Sequence, residues 1–385
     1  MFHDWTPEQL TLRERFAAVG EQLAKARDQQ PEGFDYAGWN RLRDEQLWHL
    51  VVPRDYGGHG EDWWGFTAAL DGLSSTIRTP ELLLSVIAQA GMVRAMVRHG
   101  SPLQKERYLA AIMRGKVSAT GIAEPSTGTD VRSIETTLSE APDGYRLNGS
   151  KYNIAHAPIM DFILVVSRLE RRESSNIALV LLDRDTPGLV IGAQDDKLGN
   201  RNLPTGELRF DDIHVDASQI LGQAGRGLGH LIDIISLGRL YYGLVAANLP
   251  LPFVDEAMHY AAQRTSFKST IDSHQYIQKR LVDMKIGMER SRWAAYGALG
   301  RLLNAHPEAL LACSVAKLVG ASDLIDNATS LVKLYGSIGY HNGGIATLLK
   351  DAMGFASVGG TEEMHRKNIF NQMQRLAGSA SSSQG

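Results

Sequence analysis

The spacing of apolar residues changes period twice along this chain, and that constrains the fold more than any single motif. Up to about residue 117, apolar positions recur at helical intervals. Beyond it they fall into short alternating or β-branched runs at 162–169, 176–183, 189–193 and 206–210, separated by Asp-Gly, Asn-Gly and Pro-Gly turns. After Gly222-Gln-Ala-Gly-Arg-Gly227 long helical periods return, including 273–299 and 307–334. A helix buries a stripe and a strand buries a face, so each period calls for its own packing layer. The chain is expected to be α+β in three parts: a helical domain at 1–117, a β domain at 118–225 and a helical domain at 226–376. Residues 377–385 have little to bury and are expected to form a disordered tail.

Local signals sharpen this outline. Thr6-Pro-Glu-Gln9 and Ser101-Pro-Leu-Gln104 are capping boxes with proline at the first helical position, where no amide donor is needed. The first should open a helix running to about residue 28. A second periodic stretch, 39–50, ends in the turn chemistry of Val52-Pro-Arg-Asp-Tyr-Gly-Gly58. Pro250 and Pro252 fall inside a helical stretch, and an interior proline costs about 3 kcal/mol, so a kink or break is expected at 247–251.

Composition excludes several classes of partner. Forty basic residues nearly balance forty-three acidic ones, which leaves no concentrated positive field for nucleic acid or a membrane surface. The single cysteine, Cys313, lies in an apolar helical context and reads as a buried, inert thiol. No apolar run of about eighteen residues occurs, and Met-Phe-His-Asp-Trp has no charged-then-apolar leader, so a cytoplasmic location is expected. No metal-ligand spacing stands out.

Several segments carry residue types suited to a phosphate-bearing ligand. In Ile122-Ala-Glu-Pro-Ser-Thr-Gly-Thr-Asp130, Gly128 permits close backbone approach and the Thr129 hydroxyl supplies a donor. Arg264 in Arg264-Thr-Ser-Phe267 has the planar fork that suits phosphate. His274-Gln275 and Lys333-Leu-Tyr-Gly-Ser-Ile-Gly339 add further donors. Taken in order with Lys151-Tyr-Asn-Ile-Ala-His156, Lys350-Asp-Ala352 and Gly359-Gly-Thr-Glu-Glu-Met364, these segments resemble the acyl-CoA dehydrogenase family over nearly the whole chain.

That resemblance implies an N-terminal helical domain, a middle β-barrel domain and a C-terminal four-helix bundle. It implies FAD, held by Ile122, Gly128, Thr129, Asn153 and Ala155. Across a subunit boundary it implies Arg264, Ser266, Phe267, Gln275, Lys333, Gly336 and Ser337, with Thr361 and Glu363 on the adenine side. A homodimer or homotetramer follows. So do an acyl thioester substrate, on coenzyme A or an acyl carrier protein, and an external electron acceptor or oxygen. Asn153 and Ala155 replace the family's tryptophan and threonine beside the flavin ring.

The family's catalytic base is a glutamate at one of two positions, and here both are glycine, Gly359 and Gly238. Glu362, Glu363, Asp233, Tyr241, Tyr242 and His156 are the candidate replacements. Arg239, Tyr241 and Tyr242 are expected to line the acyl end, with Gly359 and Gly238 as its floor and a side-chain-sized gap at each. Dehydrogenation of an unusual acyl thioester, oxygen chemistry on the same scaffold and a non-catalytic partner subunit all remain open.

Overall fold

A computed structural model describes residues 4–27, 32–127, 130–170 and 174–382. The first part is helical: α1 (Pro7–Arg27), α2 (Tyr36–Asp44), α3 (Trp63–Ser74), α4 (Glu81–His99) and α5 (Pro102–Met113). Both predicted capping boxes form, with Gln9 N donating to Thr6 Oγ1 at 3.3 Å and Gln104 N to Ser101 Oγ at 3.3 Å. Helix α4 is apolar on nearly every face from Leu82 to Val97, and it is buried all round between the first and third parts.

The middle part is one curled, seven-stranded sheet: β1 (Ser118–Gly121), β2 (Thr137–Ala141), β3 (Gly144–Ala155), β4 (Phe162–Leu169), β5 (Ile177–Asp183), β6 (Leu189–Gln194) and β7 (Thr205–Val215). β5 lies along one edge of β4, β1 and the start of β2 along the other, and β3, β7 and β6 follow. The sequence pattern explains this order. Phe162, Leu164 and Val166 of β4 face the helical core, while Ile163 and Val165 face the core of the sheet itself, so the strand is apolar at both parities. β7 alternates buried and exposed residues because only one of its faces is covered.

The third part comprises α6 (Gly227–Asn248), α7 (Leu251–Gln263), the short hairpin β8 (Thr265–Ser266) and β9 (Ser269–Thr270), α8 (Gln275–Leu303), α9 (Ala309–Tyr335), α10 (Ser337–Tyr340), α11 (Gly344–Gly354) and α12 (Glu362–Ser382). Helices α6, α8 and α9 pack on one another, and α11 and α12 pack on α9. The stretch Gly227–Gln263 is apolar and long enough to span a membrane, but 78% of its most apolar window is buried in the protein, as in a core helix. It is interrupted at Leu249 and Pro250, inside the predicted interval, although both residues keep helical dihedrals. Cys313 is fully buried, and burial pushes its thiol up to about 12.

One boundary needs correction. Helix α12 continues to Ser382, past the expected start of a disordered tail at 377, because extending a formed helix adds one hydrogen bond per residue fixed. Residues 383–385 lie outside the described part.

Candidate active site

All three parts meet at a cavity of about 550 Å³. The middle domain contributes Thr120, Ile122, Ala123, Asn153, Ala155 and the 197–205 loop. The helices contribute Leu84, Ile235, Arg239, Met353 and the turn 357–360. Of the sequence-predicted site residues, Ile122, Asn153, Ala155, Arg239 and Gly359 therefore come together here.

The middle-domain wall is tightly tied down. Lys151 Nζ and Glu124 Oε1 form a buried ion pair of 2.7 Å, and Glu124 also accepts the amides of Glu135 at 2.5 Å and Thr136 at 3.0 Å. Burial pulls the Lys151 ammonium down to about 8 against the opposing effect of Glu124. The pair fixes the loop after β1 to β3, which bulges between Lys151 and Ile154 and carries Asn153 at φ 52°. Thr127 Oγ1, in the same loop, is buried with no hydrogen-bond partner among the described residues. A loop held rigid, a bulge opening Asn153 toward the cavity and an unpaired buried hydroxyl fit a flavin ring with its phosphates beyond. Gly128 and Thr129 lie outside the described residues.

A second tie joins the 197–203 loop to α11. Asn200 N donates to Asp351 Oδ1 at 2.6 Å, and Asn200 Nδ2 to the Asp351 carbonyl at 3.0 Å. Burial, with Glu81 nearby, raises the Asp351 carboxyl to about 7.

The acyl-side wall overturns several expectations. Gly359 and Gly360 have φ of 70° and 112° and form a turn whose carbonyls accept from buried side chains. Lys317 Nζ donates to Gly360 O at 2.7 Å, and His365 Nε2 to Gly359 O at 3.2 Å. Burial, with Arg239 and Lys317, depresses His365 to about 3. The expected gap at Gly359 is filled: a Cβ there would lie 2.7 Å from two ring carbons of Tyr242. At Gly238 a Cβ would meet the same ring at an ordinary 3.7 Å. Tyr242 is four residues after Gly238 on α6, and helical side chains lean toward the preceding turn, so its ring covers both positions.

None of the candidate bases lines the cavity. His156 is fully buried, with Nδ1 2.8 Å from Ser118 O and Nε2 2.9 Å from Ser85 Oγ, and burial lowers it to about 4, so it is a structural neutral ring. Asp233 is ion-paired to Arg94 at 2.6 Å; His99, Arg94 and Arg98 outweigh its burial and hold it at about 2. That is too acidic for an effective base. Tyr241 is buried with its hydroxyl 3.0 Å from Thr67 Oγ1, away from the expected acyl end, and burial raises its pKa. Burial pushes Tyr242 up to about 12. Glu362 is exposed and bonded to Arg366 at 3.0 Å, and Glu363 is exposed at the start of α12. The charged residues lining the cavity are Lys197, Arg239 and Lys350; no carboxylate does so among the described residues.

The remaining predicted cofactor residues that are described lie outside the cavity lining. Arg264, Phe267, Gln275, Lys333, Gly336 and Ser337 are exposed, and Ser266 is half-buried. Tyr260 stacks on Tyr335 with ring centroids 4.5 Å apart, which draws the β8–β9 hairpin and the α9–α10 junction to one end of the helical domain. Thr361 caps α12, accepting from Met364 N at 3.4 Å, and neither it nor Glu363 lines the cavity.

Sequence reading missed the Lys151–Glu124 pair, the Asn200–Asp351 tie and the Lys317–His365 cluster. A lysine at an inward strand position and charges inside apolar helical periods were the available signals.

Residues 6–116, 119–213 and 225–374 match the N-terminal, middle and C-terminal domain models of acyl-CoA dehydrogenase. A 3-(aryl)acrylate reductase of Clostridium sporogenes is 28% identical over 86% of this chain and 89% of its own length. The butyryl-CoA dehydrogenase structure from Megasphaera elsdenii is 25% identical, with a TM-score of 0.89 over 97% of this chain and 100% of that one. The prolyl acyl carrier protein oxidase AnaB shares the fold, with a TM-score of 0.90 at 24% identity over 96% and 100% of the two chains. The three-part fold and its three matched domains make this chain a member of the acyl-CoA dehydrogenase family, an FAD-dependent oxidoreductase.

Proposed function

We propose that the chain oxidises an acyl thioester, delivered on coenzyme A or an acyl carrier protein, with the β hydride passing to the flavin and the α proton to solvent water rather than to a protein carboxylate. The observation that carries this reading is the cavity lining, which holds Arg239, Lys197 and Lys350 and no Asp, Glu, His or Tyr. FAD, when bound, supplies the two-electron acceptor. Ile122, Asn153 and Ala155 would flank its ring, and Thr127, Gly128 and Thr129 would hold its phosphates. Arg239 gives the acyl end of the cavity a buried positive charge, suited to opposing negative charge on the bound substrate. Absence of a general base costs about 100-fold to 10,000-fold in rate, so the reading favours a substrate whose own proton is acidic.

The exposed set at Arg264, Ser266, Phe267, Gln275, Lys333, Gly336 and Ser337, with Thr361 and Glu363, serves the cofactor of a neighbouring subunit in a cytoplasmic homodimer or homotetramer. In support, Phe267 of this set and the nearby Tyr340 are 92% and 83% exposed, a large apolar area for a monomer to leave in water. Electrons pass on to an external acceptor or to oxygen.

The same base-free lining favours a second reading, a monooxygenase or oxidase on this scaffold, since oxygen chemistry needs no carboxylate at the α carbon. Anaerobic titration separates the two. Bleaching of the flavin by an acyl thioester supports the first reading. Bleaching only by an external reductase, then oxygen uptake with a hydroxylated product, supports the second. A colourless protein that FAD does not reconstitute would overturn both and leave a non-catalytic partner subunit.

A further inference from the structure

Among the buried cations of the described residues, Arg239 is the one without an oxygen partner. Arg94 pairs with Asp233 at 2.6 Å, Lys151 with Glu124 at 2.7 Å, and Lys317 donates to Gly360 O at 2.7 Å. Arg239 is 7% exposed, its Nε has no partner, and its Nη2 has only the weakly accepting Met364 Sδ at 3.7 Å. No carboxylate of the described residues lies within ion-pair range of it. A guanidinium does not give up its proton in a protein, so this charge persists in a low-dielectric wall.

We infer that the acyl end of the cavity takes a thioester that carries a carboxylate of its own, anchored by Arg239. This rests on the thioester reading above. The planar fork of the guanidinium matches a carboxylate bidentately, and Arg239 lines the cavity with two further cations and no competing anion. Tyr242 over Gly238 and Gly359 leaves no protein carboxylate to neutralise it. The phosphates of the cofactor are the other anion at hand, and the test separates them from the substrate.

Flavin absorbance of the holoenzyme is titrated anaerobically with the pantetheine thioesters of malonate, succinate, glutarate and butyrate, which avoids a choice of carrier. At least one dicarboxylate thioester should bind about tenfold or more tighter than the butyryl probe, as expected of a charge-assisted contact. Arg239→Met should close that gap while keeping its flavin, and Arg239→Lys should retain part of it. Arg239→Met should also melt no lower than the parent, because it removes an uncompensated buried charge. Equal binding of neutral and anionic probes by the parent, or a marked drop in melting temperature for Arg239→Met, would overturn the inference. Loss of flavin from Arg239→Met would assign the guanidinium to the cofactor instead. If no thioester of either charge perturbs the flavin, the thioester reading itself falls.

Discussion

The two walls of the cavity handle buried charge in opposite ways. On the middle-domain side, Lys151 is matched by Glu124, and Glu124 by two backbone amides, so both members of this pair are satisfied within the chain. On the helical side Arg239 and Lys317 face carbonyl oxygens, a thioether and a neutral His365, and no carboxylate balances them. A matched charge is a structural device. An unmatched one is held by the rest of the fold for a ligand, and it costs stability until the ligand arrives.

The strongest test of this contrast breaks the matched side. Lys151→Met leaves Glu124 ionised and buried, and removing one partner of such a pair costs about 3 to 5 kcal/mol. Urea unfolding should show a loss of that size, accompanied by weaker flavin retention because the loop at 122–127 is released. A loss under about 1 kcal/mol would mean that the two backbone amides alone satisfy Glu124, and the contrast between the walls would shrink accordingly.

The second test asks whether either vacated glutamate position can be refilled. At Gly359 a side chain meets the Tyr242 ring at 2.7 Å and must adopt a left-handed backbone, so Gly359→Glu should lose about 2 to 4 kcal/mol from overpacking and strain. At Gly238 the Cβ has ordinary contacts, and leaving glycine in a helix interior recovers up to about 1 kcal/mol. Gly238→Glu should therefore fold, and it should raise anaerobic flavin reduction by simple acyl-CoA by about 100-fold, the lower end of general-base catalysis. Stability indistinguishable between the two variants would refute the filled position at Gly359. A folded Gly238→Glu with no gain in reduction would refute the placement of the acyl group against α6.

Much of this was legible before any coordinates. Periods, capping boxes and the paired prolines pointed to the three-part fold and to the helix interruption at Leu249 and Pro250, because each is a local property of a few neighbouring residues. The five cavity residues found from sequence also lie in recognisable strand and turn segments. The charge-matching was hidden: Lys151 and Glu124 are 27 residues apart and Asn200 and Asp351 are 151 apart, and nothing local announces either pairing. Gly359 looked vacant because a missing side chain says nothing about which neighbour fills the space. The spacing of Gly238 and Tyr242, one helical turn, was the available clue.

The smallest effect concerns Asp351, which sits between the walls and belongs to neither pattern. It is buried, bonded to the Asn200 amide, and lacks a cation strong enough to keep it ionised; burial, with Glu81, raises it to about 7 while Lys350 opposes. The native state thus binds this proton more tightly than the unfolded chain, so stability falls as pH rises from the ordinary carboxylate range toward 7. Between pH 5 and 7.5 the parent should lose roughly 2 to 3 kcal/mol that Asp351→Asn does not, measured as the difference between their urea midpoints. The amide oxygen of asparagine can still accept from Asn200, so the variant should keep the tie between the 197–203 loop and α11. Parallel pH profiles for the two proteins would mean that Asp351 stays ionised, and the junction between the walls would then count with the matched side.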